Sequence, residues 1–155
     1  MKAMLCKTFG PPESLVLEEI AAPRPGAGEV LIDVAAAGVN FPDLLIIADK
    51  YQFKPPLPFA PGGEVAGIIE ELGAGVTDLK VGMRVLASIG WGGYAQKAVA
   101  RQSRVFPIPD EMDFHSAAAF LITYGTSYHA LKDRAKLQNG ESLLVLGAAG
   151  GVGLA

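Results

Sequence analysis

Glycine and proline cut the first two thirds of this chain into short pieces, and that punctuation limits what it can fold into. A long helix cannot cross such breaks, whereas short strands joined by turns of defined geometry can. Met4 to Phe9, Leu15 to Ile20 and Val30 to Ala37 have strand character and are separated by Gly10-Pro-Pro and by Pro23-Arg-Pro-Gly-Ala-Gly. Glu64 to Leu72, Arg84 to Ile89, Tyr94 to Ala100 and Val105 to Ile108 continue the series, punctuated by Gly73-Ala-Gly-Val, Lys80-Val-Gly and Gly90-Trp-Gly-Gly. Short strands at regular spacing predict a β-barrel or sandwich.

Helices interrupt the series twice. Asn40 can cap a run from Phe41 to Ala48, with Pro42 tolerated in the first turn and Asp43 near the positive end of the helix dipole. Asp113 can cap a second run from Phe114 through Leu121, and a third passes through Tyr128, Leu131 and Arg134, with Gly125 as a weak point or kink between them. Near residue 122 the pattern changes from β to α/β. Leu143 to Leu146 read as a buried parallel strand, followed by glycines at 147, 150 and 153 and small apolar residues. Strand, tight glycine turn and helix start together present backbone N–H groups to a dinucleotide pyrophosphate. A full crossover takes about 30 residues, so that unit is only begun, and this chain alone is expected to be inactive.

With 155 residues, half of them hydrophobic, the chain can bury one substantial core plus part of a second. Its 13 basic and 16 acidic residues are interspersed, which leaves no electrostatic footprint for nucleic acid or an anionic membrane. Cys6 is the single cysteine, so an intramolecular disulfide and a cysteine-rich zinc site are both excluded, and a reducing cytoplasm is the expected setting. No stretch reaches bilayer length without charges or prolines, and a soluble protein is expected.

Three motifs, Gly38-Val-Asn-Phe-Pro-Asp43, Leu57-Pro-Phe-Ala-Pro-Gly-Gly-Glu-Val-Ala-Gly67 and Gly147-Ala-Ala-Gly-Gly-Val-Gly153, occur in this order. Through them the chain resembles the medium-chain dehydrogenase/reductase superfamily, its zinc-independent NADPH:quinone oxidoreductase branch above all, and Thr123 to Leu131 is similar to that branch's lead into the cofactor domain. The resemblance implies a mainly β GroES-like barrel with short helices over residues 1–122. It further implies that residues 123–155 are a connector helix and the start of a Rossmann α/β domain that binds NADPH, with a homodimer formed through the Rossmann sheets. Zinc-dependent members carry a cysteine where this chain has Asn40 and a histidine where it has Gly63, so no metal is expected. Hydrogen-bond donors must then stabilise the oxyanion that develops as a quinone or α,β-unsaturated carbonyl is reduced.

The same resemblance carries roles residue by residue. Asn40 would present its amide to nicotinamide or substrate, though a helix N-cap explains it as well. Asp43 would line the site, though compensation of the helix dipole would suffice. Tyr51 would donate to a substrate oxygen, or would simply pack on the proline segment. Thr126 would touch the nicotinamide, or bond back to its own helical turn. Gly147, Gly150, Gly151, Val152 and Gly153 would hold the pyrophosphate. Glu64 reads most plainly as the opening of a strand, and Cys6 as a buried, inert thiol. A reading from a different class stays open: a non-catalytic GroES-like interaction module whose glycine run is only a turn.

Overall fold

The computed structural model describes residues 1–155, and its centre is a curled antiparallel sheet. Strands β1 (Lys2–Leu5) and β2 (Val16–Glu19) pair with each other. The larger sheet contains β3 (Glu29–Ala37), β4 (Glu64–Leu72), β5 (Arg84–Ser88), β6 (Lys97–Arg101) and β7 (Val105–Pro107), in the order β6-β3-β4-β5-β7. Side chains alternate across a strand, and the inward set Val30, Ile32, Val65, Ile69, Val85, Ala87, Ala98 and Ala100 forms the main core. Shifts of register between β3 and β4, at Leu31/Ile32 and Val34/Ala36, bend the pair and curl the sheet. The small sheet is sewn to the large one where Met4 N–H donates to Tyr94 O (2.8 Å) and Gln96 N–H to Lys2 O (3.0 Å). Together they make a half-barrel.

On the opposite face of the large sheet, Ala66 and Leu86 pack against Ile108, Ala117 and Ala118. The last two belong to helix α2 (Phe114–Ala118), which Asp113 caps through the N–H of Ser116. Helix α1 (Phe41–Ile47) leaves β3 at Asn40, and its Ile46 and Ile47 join Cys6 and Phe59 in a separate cluster. Helix α3 (Leu121–Tyr128) follows α2 directly, continues as a π-helical turn over His129–Arg134, and the chain closes with α4 (Gly151–Leu154).

Several expected boundaries move. The first strand is Lys2–Leu5, because its partners are the 94–96 segment and β2 rather than anything opposite Thr8 and Phe9. Tyr94 precedes its strand, which starts at Lys97. The helix expected to run through Leu121 breaks at Ala119 and Phe120, while Gly125 lies inside α3 rather than between two helices. The physical cause of the break is a competing acceptor: the first-turn N–H of Ile122 goes to Glu64.

Leu143 to Leu146 form no strand, which corrects the expected buried parallel strand. Leu144 is 82% exposed and Leu146 85%. A parallel strand needs flanking strands for its N–H and C=O groups, and β1 to β7 offer it none. The segment beyond it turns back onto α3, where Ser127 Oγ donates to Val152 O at 2.8 Å.

Arg84 holds α2 against the sheet. Its guanidinium donates to the carbonyl oxygens of Pro109, Asp110 and Met112 and stacks on Phe114, 4.6 Å from the ring centroid. Arg84→Ala removes these charge-assisted bonds together and is expected to destabilise the fold by about 2 kcal/mol, read as a lowered urea midpoint.

Candidate functional site

The strongest polar arrangement in the molecule lies where β3, α1, β4 and α3 meet. Sequence around it is apolar and small, from Phe59-Ala-Pro-Gly-Gly into Val65-Ala-Gly, yet Glu64 stands in the middle and is 1% exposed. Burying a carboxylate requires partners for its oxygens. Glu64 Oε1 accepts from Asn40 Nδ2 at 2.9 Å, and Oε2 accepts from the backbone N–H of Ile122 at 3.0 Å. Gly38 makes the room: a Cβ there would collide with Glu64 Oε1 and with the Ala118 carbonyl oxygen.

A second buried carboxylate lies one helical turn away. Asp43 Oδ2 accepts from the Asn40 N–H at 2.9 Å and from the Tyr94 hydroxyl at 2.9 Å. Asn40 therefore joins two acids, through its backbone to Asp43 and through its side chain to Glu64. No buried side-chain nitrogen or oxygen is left without a partner.

Burial pushes the Glu64 carboxyl above its usual range, with Asp43 adding repulsion, while the bonds from Asn40, Ile122 and Leu121 pull it back only in part. Burial also raises the Tyr94 phenol, with the negative charge of Asp43 and then of Glu64 contributing. Tyr94 thus stays protonated at neutral pH and serves as a donor to Asp43. The Cys6 thiol, fully buried, is raised by burial as well, which suits an inert core position.

The structure joins Asn40 and Asp43 by a hydrogen bond, and Tyr51 and Thr126 make none with either. Tyr51 is half-buried against the cluster of Cys6, Ile46, Ile47 and Phe59, with no hydrogen bond from its hydroxyl to the protein. Thr126 is exposed on α3, whose first turn is tied to Glu64 at Ile122. Tyr124 and Tyr128 are exposed, and Tyr124 stacks on Phe120 with ring centroids 4.7 Å apart. Trp91 anchors its loop on Phe53, at 5.0 Å, beside a cleft of about 880 Å³ that Asn40 does not line.

The glycine run forms a tight turn leading into α4. Gly147 has φ +74°, in the left-handed region that favours glycine, and the Gly150 N–H donates back to the Gly147 carbonyl at 3.0 Å. A Cβ at Gly153 would collide with that same carbonyl oxygen. Gly151 and Val152 start the helix, so these residues fit the phosphate-facing part of a dinucleotide site. They do not supply its flanking parallel strands.

Glu64, Tyr94 and the N–H of Ile122 are the members that motif reading underrated. Glu64 had a usable signal, a lone acid in an apolar and glycine-rich stretch. Tyr94 and Ile122 had none, because their partners lie 51 and 58 residues away.

Known proteins share this framework. Residues 26–110 match the family model of the alcohol dehydrogenase GroES-like domain. The chain is 45% identical to the quinone oxidoreductase of Rattus norvegicus over 157 aligned residues, covering 100% of this chain and 48% of that protein. It superposes on the crystal structure of the human synaptic vesicle membrane protein VAT-1 homolog-like protein with TM-score 0.96 and 38% identity, over 99% of this chain and 50% of the other. The quinone oxidoreductase of Thermus thermophilus, solved also as its complex with NADPH, aligns with TM-score 0.85 and 36% identity over 100% of this chain and 47% of its own. The chain spans about half the length of the curated relatives it matches. No helix is long and apolar enough to cross a membrane, and no group of three or more His, Cys, Asp or Glu side chains is placed to hold a metal ion.

The raised Glu64 carboxyl predicts a pH dependence. Between its ordinary value of 4.5 and its higher folded value, the native state binds more protons than the unfolded chain, so stability falls as pH rises through that window. Glu64→Gln removes the titrating group, and urea midpoints measured from acidic to neutral pH are expected to lose that part of their slope.

Proposed function

This chain belongs to the alcohol dehydrogenase GroES-like domain family, in the zinc-independent quinone oxidoreductase branch of the medium-chain dehydrogenase/reductase superfamily, and we propose that it is the substrate-side part of an NADPH-dependent reductase. The substrate class is a quinone or an α,β-unsaturated carbonyl. NADPH supplies the hydride, and the chain's own residues orient the reactants and stabilise charge.

The observation that carries this reading is the half-buried Asn40 carboxamide, held in one orientation by Glu64 and by the start of α1. Its neighbours Val39 and Phe41 are 78% and 70% exposed, an apolar lip around a polar group. Such a surface suits a flat ring placed beside an amide that can donate or accept a hydrogen bond. Asp43 fixes the start of α1, and Tyr51 offers a phenol from the next loop. Thr126 on α3 would touch the nicotinamide, and the turn at Gly147, Gly150, Gly151, Val152 and Gly153 would hold the pyrophosphate. Residues 1–122 form the substrate-side domain, and residues 123–155 the connector and opening of the cofactor domain, with dimerisation through that second domain.

The complete protein that carries this chain is expected to consume NADPH with at least one of two acceptors, a quinone or an enone, in a steady-state assay. Turnover with neither overturns the assignment and favours an interaction module. Residues 1–155 alone contain only the phosphate-facing turn, so calorimetric titration of them with NADPH is expected to show weak or no binding.

A further inference from the structure

A carboxamide has two ends of nearly equal shape and opposite hydrogen-bonding character, so packing alone cannot choose which one faces outward. A charged partner can. Glu64 Oε1 takes a hydrogen from Asn40 Nδ2, while the amide oxygen faces the Asp43 N–H in the capping box that opens α1, which leaves the second Nδ2 hydrogen unused. The other oxygen of the same carboxylate takes the N–H of Ile122, in the first turn of α3. That N–H belongs to the helix and cannot reverse its role.

We propose that Glu64 is a positioning residue: its carboxylate holds the Nδ2 end of the Asn40 carboxamide, opposite the Asp43 N–H that meets the oxygen end, and couples that orientation to the seating of α3 through Ile122. The proposal deepens the function given above and rests on it for its catalytic consequence. The coupling itself stands on geometry. Gly38 and the Ala118 carbonyl wall in the Glu64 side chain, so it has little freedom to find other partners. The titratable groups that act on it are Asp43, from α1, and Tyr94, from the segment before β6, and neither offers a compensating positive charge. Asn40 and Ile122 supply the two donors that hold its oxygens in place. If α3 moves away, Glu64 loses one of the two, and its hold on Asn40 loosens.

Substitution separates orientation from seating. In Glu64→Gln the new carboxamide has one acceptor and one donor end. Ile122 can only donate, so the Gln oxygen must face it and the Gln nitrogen must face Asn40, whose amide then turns over and gives up the Asp43 N–H or swings away from residue 64. Glu64→Ala releases both Asn40 and Ile122.

Hydrogen exchange by NMR on the 155-residue chain reads both contacts. In the unsubstituted chain one Asn40 Nδ2 hydrogen and the Ile122 amide are expected to exchange slowly. Glu64→Gln should free the Asn40 hydrogen and keep Ile122 protected, whereas Glu64→Ala should free both. In the complete protein, Glu64→Gln should lower kcat by up to about 100-fold, with a much smaller change in KM for NADPH and no loss of thermal stability at neutral pH. A fast-exchanging Asn40 side chain in the unsubstituted chain, or one unchanged by Glu64→Gln, overturns the positioning role. Wild-type kcat in Glu64→Gln overturns its catalytic consequence. If the unsubstituted complete protein reduces neither a quinone nor an enone, the proposed activity fails, and the exchange data alone decide the coupling.

Discussion

Everything around the site depends on burying one carboxylate. Glu64 is enclosed by the protein, and an ionised acid without partners in such a place costs several kcal/mol. Two donors from distant parts of the chain meet that requirement, the side chain of Asn40 and the main chain of Ile122. One lies at the end of β3 and the other at the start of α3, so a single acid ties the strand, both helices and the opening of β4 into one arrangement. The break between α2 and α3 follows from it, because the Ile122 N–H is free to serve Glu64 only at the start of a helix.

The apolar framework supports this arrangement through position more than through bulk. The main core lies on one face of the curled sheet, and α2 covers part of the other. Arg84 clasps the loop before α2 and thereby sets where Ala118 and Ile122 stand relative to β4. Around Asn40, Val39 and Phe41 are open and apolar beside a polar network that is fully paired within. That contrast is the physical content of the site.

Much of this was legible from residues alone. Glycine and proline spacing located most strands within a few residues, and Glu64–Leu72 was placed at both ends. The capping role of Asp113 was evident from its place before an apolar run. At Asn40 the cap reading holds: Asn40 begins α1 in a capping box with Asp43, and its carboxamide also donates to Glu64. Leu143 to Leu146 misled because an apolar run states a preference for burial without stating what will cover it.

The sequence by itself determined the β-rich architecture, the family and the residue types of the site, because turn chemistry, alternation and ordered motifs act over short stretches of chain. Only the tertiary structure decided that Glu64 and Tyr94 complete the network and that the Ile122 N–H closes it. Those outcomes depend on contacts across 24 to 58 residues, where each group's environment is set by what the fold brings to it.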